Sequence, residues 1–202
     1  YWNNFYQYTD NLCPSQFAAF IVNEYPNMKS LIDFGCGSAR DTIFFSQFYD
    51  KVIGIDSSSE AIKINNEKLK DSKKISFILN DLSNIKDLVK SINNELKDIN
   101  SCIFYGRFFI HAIDENTENN FLNLFKLINN NNIIALEFRT IKDKLLSKEF
   151  DNHNRRFVIP EDFKNKLKKL GVFVNYYVEG QGYAKYKNDD AYVARLIASA
   201  TV

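Results

Sequence analysis

Three acidic residues lie at the ends of short apolar runs, and this repetition is the first sign of chemistry. Ser30 to Phe34 carries Asp33 and leads straight into Gly35-Cys36-Gly37. Val52 to Ile55 ends at Asp56, and Ile75 to Leu79 ends just before Asp81. Glycines at a strand end let the backbone approach a ligand closely, and a helix that follows presents unpaired N–H groups. A carboxylate at the tip of the next strand is placed to accept both hydroxyls of a ribose, so a nucleoside ligand is implied. Each acid, taken singly, is equally suited to capping a helix. Their shared position at one end of successive strands is what favours the ligand.

A second group lies further along. Arg107, His111, Glu137, Arg139, His153, Arg155 and Arg156 include both histidines and four of the six arginines, while the lysines are scattered. Guanidinium suits bidentate recognition of carboxylate or phosphate better than a solvated ammonium does. Arg107, Arg139, His153, Arg155 and Arg156 are therefore candidates for holding a small anionic molecule. His111 is the best candidate general base, with Glu137 as its orienting partner or an alternative base. Such a base is needed only if the reacting group must lose a proton. The plainer alternatives are a structural histidine and an internal Arg107–Glu137 pair.

The elements that must position these groups follow from hydrophobic spacing. Helical patterns span Pro14 to Tyr25, Ala39 to Tyr49, Ser57 to about Leu69, Ile85 to Leu96 and a stretch through Phe121, Leu124, Phe125 and Ile128. Between them run five apolar strands, the last two at Cys102 to Tyr105 and Ile133 to Phe138. Strands separated by helical crossovers are parallel and covered on both faces, which predicts an α/β doubly wound, Rossmann-like sheet. The end of the chain departs from the alternation. Pro160 opens and Gly171 closes a helix, after which Val172 to Val178 and Tyr192 to Ile197 follow without a helix between them, as antiparallel neighbours. The expectation is seven strands, mostly parallel, with an antiparallel C-terminal edge, in a single domain over 1–202. Residues 1–28 form an N-terminal helical cap, and 148–160 form a polar loop over the site.

A dinucleotide site calls for a third glycine, but Arg40 stands at that place in Gly35-Cys36-Gly37-Ser38-Ala39-Arg40, which argues against NAD. Asp33 would be unfavourable beside a pyrophosphate and suitable beside an ammonium or sulfonium. Asp33-Phe34-Gly35-Cys36-Gly37, Asp56 and Asp81 together resemble the class I S-adenosylmethionine-dependent methyltransferases. The resemblance implies that the backbone near Gly35 and Gly37 lies against the methionine part, that Asp56 holds the ribose, and that Asp81 with the Leu82 backbone addresses the adenine. Arg40 would hold the cofactor carboxylate or pair with Asp41. The runs Arg107 to His111 and Asn154 to Phe157 resemble those of small bacterial methyltransferases of surface-polysaccharide (capsule) modification, which suggests a capsule or glycan precursor as acceptor. A catalytically silent cofactor-binding module and an aminopropyltransferase are the alternatives.

Composition narrows the partners. The formal charge is +1, from 26 basic and 25 acidic side chains, so no global field favours nucleic acid or an anionic membrane. Cys13, Cys36 and Cys102 match neither a zinc pattern nor a disulfide framework, so no metal is expected and the thiols read as reduced. The absence of a long apolar run predicts a cytoplasmic protein without a membrane span. Oligomeric state is not legible. Aromatic residues Tyr1, Trp2, Phe5, Tyr6 and Tyr8 are candidates for a cover over the cleft or for packing against the sheet.

Overall fold

The computed structural model describes residues 13–96, 99–128, 131–146 and 156–200. His153, Arg155, the aromatic group at Tyr1 to Tyr8 and most of the 148–160 stretch lie outside these residues. The elements are α1 (Gln16–Glu24), β1 (Ser30–Phe34), α2 (Arg40–Phe45), β2 (Lys51–Asp56), α3 (Ser59–Lys68), β3 (Ile75–Leu79), α4 (Ile85–Glu95), β4 (Cys102–Arg107), α5 (Glu115–Leu127), β5 (Ile133–Arg139), α6 (Pro160–Lys169), β6 (Phe173–Gly180) and β7 (Val193–Ser199). Single 3-10 turns at Ile110–Ala112 and Ile141–Leu145 follow β4 and β5.

The seven strands form one sheet in the order β3-β2-β1-β4-β5-β7-β6. The first five are parallel, and β7 runs antiparallel to both β5 and β6, as expected from the missing last crossover. Every residue of β1 and β5 is buried, the pattern of strands covered on both faces. Their alternation divides the core. Leu31 packs with Phe17 and Ile21 of α1 and Phe45 of α2, whereas Ile32 and Phe34 pack with Leu88 and Ile92 of α4 and Phe121 and Phe125 of α5. Side-chain caps fix the entry to α1, α3, α4 and α5 through Ser15, Ser58, Asn84 and Asp114. α2 is shorter than its apolar spacing suggests. Ser46 caps its end and turns its hydroxyl back onto the Ile43 carbonyl at 2.7 Å, and turn structure follows.

This order sets up the site. The chain moves outward from β1 to β3 and then returns to place β4 on the other side of β1. Crossovers to opposite faces diverge there, leaving a crevice beyond the carboxyl ends of β1 and β4. Among the described residues, no helix is long and apolar enough to cross a membrane.

Candidate active site

A cavity of about 480 Å³ opens at that point and is lined by the ends of β1, β2, β4 and β5, by the start of α1 and by the β6–β7 connection. Gly35 and Gly37 both have left-handed backbones, φ +72° and +52°. The Gly35 and Cys36 amides donate to the Ile55 carbonyl at 2.8 and 3.1 Å, locking the turn onto β2. A Cβ on Gly35 would stand 3.2 Å from Phe109 Cδ2, so both the dihedral and the approach of that ring call for glycine.

Asp33 is buried against the turn, and Oδ2 accepts from Thr42 Oγ1 at 2.6 Å. Burial pushes its carboxyl up to about 8; neighbouring Asp41 and Asp56 add to the rise, and Thr42 opposes it. Asp56 Oδ2 accepts from the Gly37 amide at 2.9 Å and Oδ1 from the Ser58 amide at 2.8 Å. The four lone pairs of the carboxylate exceed these donors and the Ser57 backbone, so acceptor capacity remains for a ligand hydroxyl. Burial also raises the Asp56 pKa, against the backbone hydrogen bonds that lower it. Asp81 accepts from the Ser83 amide at 2.9 Å, and hydrogen bonds from Ser83 hold its pKa below the usual range. All three acids line the cavity, and the side-chain caps of α3 and α4 are Ser58 and Asn84 instead. Leu82 also lines the cavity; its amide donates to Asn80 Oδ1 at 2.7 Å and its carbonyl accepts from Asn120 Nδ2 at 2.9 Å, keeping a second lone pair.

Arg40 lies at the wall beside Asp41, donating through Nε to Oδ1 at 3.0 Å. Asp41 also accepts from the Ser15 amide (2.8 Å), the Ser15 hydroxyl (2.6 Å) and the Tyr105 hydroxyl (2.8 Å). Burial pushes its pKa up, but Arg40, Arg107 and the Ser15 bonds outweigh burial and hold it below the ordinary value. Asp41 therefore joins α1, α2 and β4 at the cavity. Sequence reasoning saw Asp41 only as a neighbour of Arg40 and missed Ser15 entirely; a serine just before the first apolar turn was the available signal, and it indicated a cap alone.

The other side of the cavity is built around Phe108, whose φ of +57° is unusual for a non-glycine residue. The Arg107 guanidinium carbon lies 4.3 Å and that of Arg139 5.4 Å from the centre of its ring. Gly106 explains itself here: a Cβ would meet Leu136 Cδ2 at 2.9 Å and Phe109 Cδ1 at 3.3 Å. Glu137 is fully buried and accepts from Arg107 Nε at 2.9 Å on one oxygen and from Arg195 Nε at 2.7 Å on the other. It is absent from the residues lining the cavity. Arg195, which the sequence reading did not single out, also donates to the Tyr183 carbonyl at 2.7 Å.

The remaining sequence candidates separate. Arg139 lines the cavity but donates to Asp143 at 2.8 Å and to Asp189 at 2.5 Å, so both ends of its guanidinium are held by buried carboxylates. Arg156 does not line the cavity. Glu118 on α5 is a buried carboxylate that needs countercharge, and it takes Arg156 and Lys166; Arg156 also donates to the Ile110 carbonyl at 3.1 Å. His111 is buried and lines the cavity, and its Nδ1 accepts from the Arg139 amide at 3.1 Å. In the neutral ring the proton therefore sits on Nε2, a donor and not a base. Among the described residues no group of three His, Cys, Asp or Glu side chains is placed to hold a metal ion.

Asp33 forms no ion pair with any described residue, which is the fit expected of a site for a cationic ligand, and Gly35 and Asp56 fit a nucleoside lying across the turn. Comparison with known proteins agrees. Residues 31–101 match the family model described as a methyltransferase domain. No curated protein is significantly similar. An S-adenosylmethionine-dependent methyltransferase from Anabaena variabilis shares 20% identity and a TM-score of 0.70, over 98% of this chain and 91% of that one. An S-adenosylmethionine-dependent methyltransferase from Aquifex aeolicus gives 16% and 0.69, over 97% of each chain. Magnesium protoporphyrin IX methyltransferase from Synechocystis, solved with bound S-adenosylmethionine, gives 14% and 0.62, over 90% of this chain and 74% of that one. The likeness establishes the class I methyltransferase fold.

Proposed function

We propose that this chain transfers a methyl group from S-adenosylmethionine to a small acceptor bearing a carboxylate or phosphate, seated over Phe108 with its acidic end on Arg107. The observation that carries this reading is the state of Arg107. Its Nε is fixed on buried Glu137, while its terminal nitrogens donate to no acceptor among the described residues at the cavity wall. A guanidinium held along one edge presents the other as a fork for an anion. Arg40 is held in the same way by Asp41 and takes the cofactor's carboxylate in this reading. A capsule or phosphorylated glycan precursor is a narrower form of the proposal, and Arg107 to His111 supports it as the described part of that resemblance.

The bound cofactor supplies an electrophilic methyl group on a sulfonium. The chain's own work is alignment, worth roughly 7 to 11 kcal/mol when reacting groups are held in line. Gly35, Gly37 and Asp56 hold the nucleoside side, and Arg107 and the Phe108 ring fix the acceptor. An ionised acid carries no proton to remove, so no general base is required. His111 then serves as a hydrogen-bond donor, and Glu137 serves to position Arg107.

The test is label transfer from methyl-tritiated S-adenosylmethionine to a panel of small carboxylates, phosphorylated sugars and their neutral analogues. Methylation of acidic members, with Arg107→Met raising the acceptor KM at least tenfold, is expected. Methylation confined to neutral members and indifferent to Arg107 would refute the proposal.

A further inference from the structure

We infer that Asp33 is a proton-linked counter-ion, holding a proton while the cavity is empty and releasing it when the cation of the cofactor arrives, so that it selects cationic ligands. This rests on S-adenosylmethionine being the ligand of the cavity.

The geometry places a carboxyl at the end of β1 with only 3% of the residue exposed, and that exposed part lines the cavity. One oxygen is held by the Thr42 hydroxyl, and among the described residues no cationic side chain pairs with the group. A buried carboxylate without a counter-ion is costly, and protonation removes the cost.

The groups around it reinforce this. From α2, Asp41 and Arg40 face it, but they are bound to each other. From β2 comes Asp56, another carboxylate. The Cys36 thiol in the turn and the Tyr105 hydroxyl on β4 feel Asp33 as a negative neighbour, and burial drives both their pKa values up, so each stays neutral. The displacement of Asp33 to about 8 agrees with this arrangement. A cation entering the cavity replaces the proton as the compensating charge, and the proton passes to buffer.

The experiment is calorimetric titration with S-adenosylmethionine between pH 6 and 7.5, in paired buffers of different ionisation enthalpy. The expected result is release of close to one proton per cofactor and affinity rising about tenfold per pH unit. Asp33→Asn should abolish both effects and weaken binding at pH 7.5 at least tenfold. Adenosine, a neutral probe, should release no proton. Release with S-adenosylhomocysteine as well puts the ammonium beside Asp33, and release with S-adenosylmethionine alone puts the sulfonium there; either supports the assignment. Binding of S-adenosylmethionine with no proton released, or release that persists in Asp33→Asn, overturns it. Failure of S-adenosylmethionine to bind would overturn the cofactor reading as well, which is a distinct outcome.

Discussion

Where β1, β2 and β3 end, Asp33, Asp56 and Asp81 face the cavity without an ion-pair partner among the described residues. Where β4, β5 and β7 end, Glu137 is gripped by Arg107 and Arg195, and Asp143 and Asp189 are both gripped by Arg139. The contrast is one of purpose. In the function proposed above, the open carboxylates take groups that a ligand brings, whereas the buried pairs build a platform that leaves only selected edges, such as the outer edge of Arg107, for recognition. Substitutions in the two halves should therefore fail in different ways.

The largest effect is expected from Glu137→Gln, which strands two buried arginines and should cost roughly 3 to 5 kcal/mol of stability. Denaturant melts check this, and cofactor affinity in the folded fraction should stay within about threefold of the parent. Asp56→Ala should instead strike binding: loss of two ribose hydrogen bonds to a charged acceptor, roughly 1.5 to 3 kcal/mol each, should weaken cofactor binding in the folded fraction at least a hundredfold by calorimetry. A loss of binding in the first variant equal to that in the second would erase the distinction between the halves.

A pH series sharpens the comparison. The Asp33 carboxyl is raised from an ordinary 3.8 to about 8 in the empty protein. Its contribution to stability is thus complete below pH 3.8 and is lost as pH rises through about 8. Thermal melts of the cofactor-free protein from pH 5 to 8.5 should show this decline, and Asp33→Asn should flatten it. The smallest effect is assigned to His111→Gln. With its Nδ1 occupied by the Arg139 amide, His111 is no base, so the pH dependence of turnover should keep its shape.

The open half is largely legible in the sequence. Asp33, Asp56 and Asp81 follow from one local rule, that ligands gather at strand ends where the chain turns into a helix, and the family match spans this same half at residues 31–101. The antiparallel edge was legible too, because a missing crossover leaves few topologies. The platform half was not. Glu137 meets Arg195 and Arg139 meets Asp189 across long separations in sequence, and both pairings exist only because β7 inserts beside β5. Arginines concentrated near strand ends therefore read as an anion site, although Arg139 and Arg156 are held by carboxylates of their own.

The most direct test of this division is a crystal structure with S-adenosylhomocysteine bound. The ribose hydroxyls are expected on Asp56 and the adenine beside Asp81, with the sulfur's open side turned toward Phe108 and the outer edge of Arg107. A ligand whose sulfur faces away from Arg107, or whose sugar avoids Asp56, would contradict it.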